Sequence, residues 1–264
     1  MPFFTTEIPK HNYKNSGVIM SSTSVLLATR KRPELAEKSI DSLVSRTASQ
    51  KDLEILLAID PDDTETKTWL DNHYRAKFEQ TYPEAKLIDV VFSERLGYSR
   101  MNEYLNKLCE VSTKEWLFVW NDDATMETEN WDELLYRMKG FFGLVRAQVS
   151  NHNHPFALFP IVPRTWYNLL GYLSPNAQVD RFIYEVGHRV MVQQFLVNVP
   201  IYILHDRFDI TGNNNDEVYK ERVYMEGDPK NPMHIDSPEI QAIIWRDSMK
   251  VTKHLAKARG LILP

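Results

Sequence analysis

The chain has 264 residues, 43% of them hydrophobic and 25% charged, with 31 basic against 36 acidic residues and a formal net charge of −5. That length allows one large domain or two small ones with a substantial core, and the acidic balance argues against a nucleic-acid binder, which carries a basic surface. The single cysteine, Cys109, excludes an intramolecular disulfide and a cysteine zinc cluster and suits a reducing compartment. It shares an apolar helix face with Leu105 and Leu108, where packing accounts for it. No apolar stretch approaches the roughly 20 residues of a membrane span. Residues 1–22 lack the apolar centre of a signal peptide and read as an arm on the surface.

The first apolar run, 24–28, predicts a buried strand. It passes into Thr29, Arg30, Lys31, Arg32 and Pro33, then into a helix over 33–46 with Ile40, Leu43 and Val44 on its apolar side. Basic residues between a strand and a helix N-terminus favour an anion, though a solvated basic loop accounts for them nearly as well. Residues 53–59 predict a second strand, ending in Asp60, Pro61, Asp62 and Asp63. A helix over 64–78 aligns Trp69, Leu70 and Tyr74, and 86–92 predicts a third strand. Gly97, Tyr98, Ser99 and Arg100 follow, with Ser99 placed to cap a helix carrying Met101, Tyr104, Leu105 and Leu108.

The fourth apolar run, 116–120, ends abruptly in Asn121, Asp122 and Asp123. Acidic side chains just past the C-terminal end of a buried strand lie where open α/β sheets bind ligands. Adjacent carboxylates repel unless something positive stands between them. A divalent cation such as Mg²⁺ or Mn²⁺, which prefers hard oxygen ligands, meets that need. The plain alternative is a helix cap, with Asp123 or Thr125 opening a following helix. Strands alternating with helices through these four runs predict a mostly parallel sheet covered on both faces. No Gly-x-Gly-x-x-Gly follows the first strand and no Walker A lysine loop is present, so dinucleotide dehydrogenases and P-loop NTPases lose support. The strand ends Arg30/Arg32, Asp60/Asp62 and Asp122/Asp123 then line one edge of one sheet.

Downstream, Trp131, Leu134, Leu135, Met138 and Phe142 share a helical packing face. Residues 143–149 and 156–162 predict strands around a polar loop whose His152 and His154 read as solvated rather than metal-binding. A short helix over 166–170 precedes another over 181–187, with Asp180 at its start, where a cap and a functional carboxylate are compatible. A strand over 199–204 runs into His205, for which surface hydrogen bonding and metal ligation stand level. Residues 211–216 form a polar loop suited to a lid, and 225–235 read as irregular. Ser237 and Pro238 open a final helix packed by Ile240, Ile243, Ile244, Val251 and Leu255.

Several of these segments resemble the GT-A glycosyltransferases, specifically their family 2-like branch. Residues 25–35 look like that family's opening strand and loop, and 53–63 resemble its second strand, whose terminal aspartate faces the nucleobase. Phe118 through Asp123, followed by Trp131 and Asp132, looks like its Asp-x-Asp strand end. Residues 97–102 resemble the glycine-containing loop before that motif, and 171–180 look like the acceptor-side segment holding the catalytic carboxylate. The resemblance covers roughly 24–205. It implies an α/β GT-A (Rossmann-like) fold, a central mostly parallel sheet flanked by helices with a mixed C-terminal acceptor-side part. It also implies an arm at 1–23 and one domain over 24–264, divided into a nucleotide-sugar-binding half (24–125) and an acceptor-side half with a C-terminal helix (126–264).

The implied activity is metal-dependent transfer of a hexose from a nucleoside-diphosphate sugar, a UDP-sugar favoured, to a glycan or other hydroxyl acceptor. The implied setting is cytoplasmic polysaccharide or surface-glycan assembly, without nucleic acid or an integral membrane segment. Asn121 stands where the family has its first aspartate; it can hydrogen-bond a ribose hydroxyl but is a poorer metal ligand. Asp123 is therefore the first choice for Mn²⁺ or Mg²⁺, with Asp122 beside it and His205 completing the protein ligands. Thr29, Arg30, Arg32, Gly97, Arg100, Asn121 and Asp122 would contact the nucleotide sugar, and Asp60 its base. Asp180 would be the general base of a single inverting displacement, with Glu185 the fallback. Two other readings compete. A nucleotidyltransferase is disfavoured by the glycine-free loop 29–33, and a nucleotide-sugar or glycan-binding module without turnover is supported by Asn121.

Overall fold

The computed structural model describes residues 22–191, 195–213, 216–226 and 233–260. Residues 1–21 of the predicted arm, 214–215 of the predicted lid loop and 227–232 of the predicted irregular stretch lie outside them. The chain begins with β1 (Thr23–Ala28), α1 (Pro33–Ser45) and β2 (Leu53–Ile59). Then α2 (Thr64–Trp69) continues through a π turn (Leu70–Tyr74) into α3 (Arg75–Thr81). Next come β3 (Lys86–Val91), α4 (Met101–Val111), β4 (Trp116–Trp120), β5 (Ala124–Met126) and α5 (Trp131–Arg137). The rest is β6 (Leu144–Val149), β7 (Pro160–Pro163), α6 (Arg164–Leu170), α7 (Val179–His188), β8 (Leu196–His205), α8 (Phe208–Thr211), α9 (Glu217–Glu226) and α10 (Pro238–Ala258).

The strands form an 8-stranded, mostly parallel sheet in the order β3-β2-β1-β4-β7-β6-β8-β5. β1 pairs in parallel with β2 and β4, β2 with β3, and β6 with β8; β4–β7, β6–β7 and β5–β8 are antiparallel. The unbroken apolar runs of β1, β2 and β4 follow from cover on both faces. Alternate residues serve opposite cores. Val25, Leu27, Ile55, Leu57, Phe118 and Trp120 face a cluster with Ile40, Leu43 and Trp131. Leu26, Leu56, Leu117 and Val119 face a second cluster with Leu105, Leu108, Phe182 and Ile244.

Several local expectations shift. Ser99 lies in a 3-10 turn (Tyr98–Arg100), and the N-cap position of α4 is Arg100, with no side-chain cap bond. α5 stops at Arg137, and β7 begins only at Pro160. α7 starts at Val179, which puts Asp180 in the first turn rather than at the cap. β8 takes in His205 as its last residue. α9 was not expected from sequence, because it carries no apolar stripe of helical period. The final helix begins as expected, with the Ser237 side chain accepting from the Ile240 N–H at 3.2 Å.

Candidate functional site

Parallel pairing sets Ala28 beside Ala58 and Leu27 beside Trp120, so β1, β2 and β4 deliver Thr29, Asp60 and Asn121 at one edge of the sheet. The loops then interlock. The Thr29 hydroxyl donates to Asp122 Oδ2 at 2.8 Å, and Arg32 Nη1 donates to Asp122 Oδ1 at 3.0 Å. Arg30 donates to Asp60 Oδ2 at 3.0 Å and, bidentately, to the half-exposed Asp62 at 2.7 and 2.8 Å. Asp63 serves the fold instead, accepting from Lys31 N–H and capping α2 through Thr66 N–H. Tyr104 donates to Asp60 Oδ1 and accepts from the Leu96 and Gly97 N–H groups at 2.9 and 3.1 Å. Burial and the Asp60 carboxylate raise the Tyr104 phenol above its ordinary range, so it remains a donor. Sequence reading gave Tyr104 only a packing role, yet it ties the glycine turn to Asp60.

After the acidic pair comes a strand, not a helix, so neither Asp123 nor Thr125 is a helix cap. β5 sets Ala124 opposite His205, and the Asp206 N–H donates to the Asp123 carbonyl at 2.8 Å. The short strand thereby holds the Asp123 side chain against the end of β8. His205 Nε2 lies 3.1 Å from Asp123 Oδ1 and 3.3 Å from Asn121 Nδ2. Asn151 fixes the histidine through its backbone, accepting from His205 N–H at 3.2 Å and donating to its carbonyl at 2.9 Å. The polar loop 150–155, read from sequence as solvated, thus contributes a positioning residue.

The two adjacent carboxylates differ in what they meet. Asp122 is buried, and both its oxygens are engaged by Thr29 and Arg32. Its burial and the nearby Asp123 push its carboxyl up to about 6 against the pull of Arg32 and Thr29. Burial would also raise Asp123, but His205 and Arg32 outweigh it and hold that carboxyl below the usual carboxylate range. Asp123 Oδ1 and His205 Nδ1 are nevertheless buried atoms without a hydrogen-bond partner. A charged oxygen and an imidazole nitrogen at 3.1 Å, with no hydrogen bond satisfying the oxygen, form a donor set that a divalent cation would complete. No cluster of three or more His, Cys, Asp or Glu able to hold a metal occurs among the described residues. Two protein ligands suit Mg²⁺ or Mn²⁺ that takes its remaining oxygens from phosphates and water.

Thr29, Arg30, Arg32, Asp60, Gly97, Asn121, Asp122, Asp123, Asp180 and His205 all line one cleft. Arg100 does not; it pairs on the surface with Glu94 and Glu103 at 3.0 and 2.6 Å. Glu185 also lies outside the cleft, 3.4 Å from Arg189. Asp180, in the first turn of α7, accepts from the Arg181 N–H at 2.8 Å and joins Ala177 and Val179 in the wall facing the acidic strand end.

The segment after β8 crosses the cleft. Asp216 takes Arg32 Nε and Nη2 at 2.5 and 2.7 Å, and Glu221 accepts from Tyr98 N–H and Arg95, both at 2.9 Å. Arg207, Tyr219 and Arg222 add lining that sequence reading did not assign. Gly97 has φ +70°, and a Cβ there would meet Glu221 Oε1 at 2.4 Å. We expect Gly97→Ala to lower stability by about 1–2 kcal/mol through the left-handed backbone alone and to detach α9. Denaturant melts and proteolysis between β8 and α10 check this, and unchanged cleavage would refute the detachment.

No protein-family model matches the chain, and no curated protein matches it in sequence. Solved structures match in fold. A mannosyltransferase, PcManGT from Pyrobaculum calidifontis, in complex with GDP-Man and Mn²⁺, aligns with TM-score 0.58 at 14% identity, over 93% of this chain and 77% of its own. S. aureus TarS 1–349 in complex with UDP aligns with TM-score 0.53 at 10% identity, over 90% of this chain and 82% of its own. Against a longer TarS structure the TM-score is 0.52 at 8% identity, and the match spans 42% of that chain. None of the described helices is long and apolar enough to cross a membrane. Sheet order, the covered parallel strands and these alignments agree that the chain has the GT-A-like glycosyltransferase fold.

Proposed function

We propose that this chain is a divalent-metal-dependent hexosyltransferase, moving a sugar from a nucleoside-diphosphate donor to a hydroxyl acceptor with inversion. The observation that carries the reading is the buried, unsatisfied Asp123 Oδ1 facing His205 Nε2 at 3.1 Å, at the mouth of parallel strands. The Mn²⁺ in the mannosyltransferase complex supports it by likeness of fold. Asp123 and His205 would hold the cation, with Asp122 behind them keeping Arg32 in place. A cation there supplies positive charge to the diphosphate as the sugar bond breaks.

The chain's own groups would do the rest. Arg32 offers its guanidinium to the diphosphate once Asp216 yields it. Asp60, held by Arg30 and Tyr104, faces the base, and the Asn121 amide meets a ribose hydroxyl. Asp180 takes the proton from the attacking acceptor hydroxyl. UDP and GDP are both suitable donors, given the neighbours' complexes. With its one cysteine buried, the protein suits cytoplasmic glycan or polysaccharide assembly.

The test is thermal shift with UDP, GDP, TDP, CDP and ADP, each with and without Mn²⁺. A ligand at a hundredfold excess over Kd stabilises by roughly 2.7 kcal/mol. A shift for one nucleotide that requires Mn²⁺ is expected, and none for any nucleotide would sink the reading. Asp180→Asn should leave that shift intact and lower transfer by about a hundredfold or more, measured as sugar incorporated into acceptor. Equal loss of nucleotide binding would remove Asp180 from the base role. A module that binds without turnover is the second reading, favoured by Asn121 at the strand end. Metal-dependent binding by the unaltered chain, with neither transfer nor donor hydrolysis, would select it.

A further inference from the structure

A row of aromatic rings runs outside the cleft on its acceptor side, where His152, His154 and Phe156 line a second hollow with Arg146. His152 lies 5.7 Å from His154, His154 5.3 Å from Phe156, Phe156 5.5 Å from Tyr184, and Tyr184 5.9 Å from His188, ring centroid to ring centroid. The row is not core. His152 and His188 are exposed, and the three rings between them are half-buried. Neither buried cluster includes these residues, although Tyr184 packs against one from outside.

The row is tied to the site through α7. Asp180, Tyr184 and His188 recur at four-residue spacing on α7, which puts them on one face one turn apart. Phe156 stands two residues before Leu158, which lines the cleft beside Asp180. Arg146 sits 6.0 Å from the Tyr184 ring, and its guanidinium donates a hydrogen bond to the His154 carbonyl. No carboxylate among the described residues pairs with it, and a guanidinium has five donors, so donor capacity remains beside the rings. Arg181 covers Phe156 at 5.2 Å. His154 is pushed down to about 4 by burial and by Arg207, His152, Arg146 and Arg222, so the centre of the row is uncharged at neutral pH. Uncharged rings with a guanidinium alongside match a saccharide, which offers C–H faces to π-systems and hydroxyls to fixed donors.

We propose that the row Phe156–Tyr184–His188, with Arg146 beside it, is a binding track for an oligosaccharide acceptor, one of whose sugars presents its hydroxyl at Asp180. Tyr184 and His188 lie roughly 6 and 12 Å along α7 from Asp180 at 1.5 Å per residue, so engaging both takes more than one sugar. The chain therefore selects an acceptor of at least several linked sugars. The proposal takes its purpose from the transferase reading of the cleft, but its measurement does not depend on that reading.

The experiment is saturation-transfer NMR on the full chain, without nucleotide, using mono-, di- and tetrasaccharides of glucose, mannose and N-acetylglucosamine. One tetrasaccharide series is expected to bind about tenfold or more tighter than its monosaccharide, and Tyr184→Ala to abolish that gain. His188→Ala, at an exposed position, should weaken tetrasaccharide binding several-fold and keeps the test alive if Tyr184→Ala fails to fold. Both variants should keep the nucleotide-plus-Mn²⁺ thermal shift. No binding, no dependence on length, or an unchanged length dependence in both variants overturns the track. A lost nucleotide shift in the unaltered chain, with length-dependent saccharide binding intact, overturns the transferase reading and leaves the track standing.

Discussion

Asp123→Asn is expected to lower sugar transfer by about a thousandfold, some 4 kcal/mol of transition-state stabilisation. It should also remove the Mn²⁺-dependent part of the nucleotide thermal shift. Asparagine keeps the shape of the side chain and its contact with His205, so packing is not what changes. What disappears is the negative charge that makes this oxygen a ligand for a hard cation. The fold should survive the change at a modest cost. The Asp123 side chain, 11% exposed, lies beside the buried Asp122, whose carboxyl it helps push up to about 6. Neutralising one member of a repelling buried pair relieves the other. Yet His205 and Arg32 hold Asp123 below the usual carboxylate range, so its charge stabilises the fold at neutral pH, and the metal-free variant should melt somewhat lower than the unaltered chain, with the relief of Asp122 offsetting part of the loss. His205→Gln, which withdraws the second ligand, should lose the same metal dependence, and chelation of the unaltered chain should reproduce both. The measurements are melting temperature with and without Mn²⁺ and nucleotide, and initial rate of transfer. An Asp123→Asn protein whose nucleotide shift still needs Mn²⁺ would refute the assignment of Asp123.

The contrast between the two aspartates also marks where sequence reading stops. The runs 24–28, 53–59 and 116–120 were legible because strands covered on both faces must be apolar throughout, and that pattern survives without coordinates. Their convergence followed from parallel pairing, since parallel strands bring like ends to one edge. What each side chain does there was not legible, because it depends on neighbours distant in sequence. Arg32 and Asp122 are separated by 90 residues, and Asn151 reaches His205 across 54. Arg100, one turn from Gly97, looked equivalent to Arg30 and Arg32, yet local acids at Glu94 and Glu103 hold it on the surface. β5 has 3 residues, too few to show alternation, so the Asp123 segment taken alone read as a helix cap. α9 is a helix without an apolar stripe, and among the described residues Glu221 ties it to Arg95 and the Tyr98 N–H.

The Arg32–Asp122 pair yields the other large effect, and it falls on stability. Arg32→Met is expected to destabilise the protein by about 3–5 kcal/mol, because it leaves a buried carboxylate without its cation; the melting temperature should drop on the order of 10 °C. Both side chains are nearly inaccessible, at 11% and 7%, so solvent cannot replace the partner. The deficit should depend on pH with a definite sign. Asp122 already has its folded value near 6 against an ordinary 3.8, from burial and the neighbouring Asp123, and loses its main attractive partner in the variant. A carboxyl whose folded value lies above its unfolded one stabilises the fold below the unfolded value, and that contribution is lost as pH rises through the folded value. The difference between variant and unaltered chain should thus be larger at pH 8 than at pH 5. Asp122→Asn in the Arg32→Met background removes the unpaired charge and should recover most of the loss at pH 8, while Thr29 still donates to the remaining amide oxygen. The double variant should nonetheless show no recovery of the nucleotide shift, since the guanidinium offered to the diphosphate is gone. Strict additivity of the two single changes would mean that Arg32 does not sustain Asp122. Recovered nucleotide binding in the double variant would mean that Arg32 serves the fold alone.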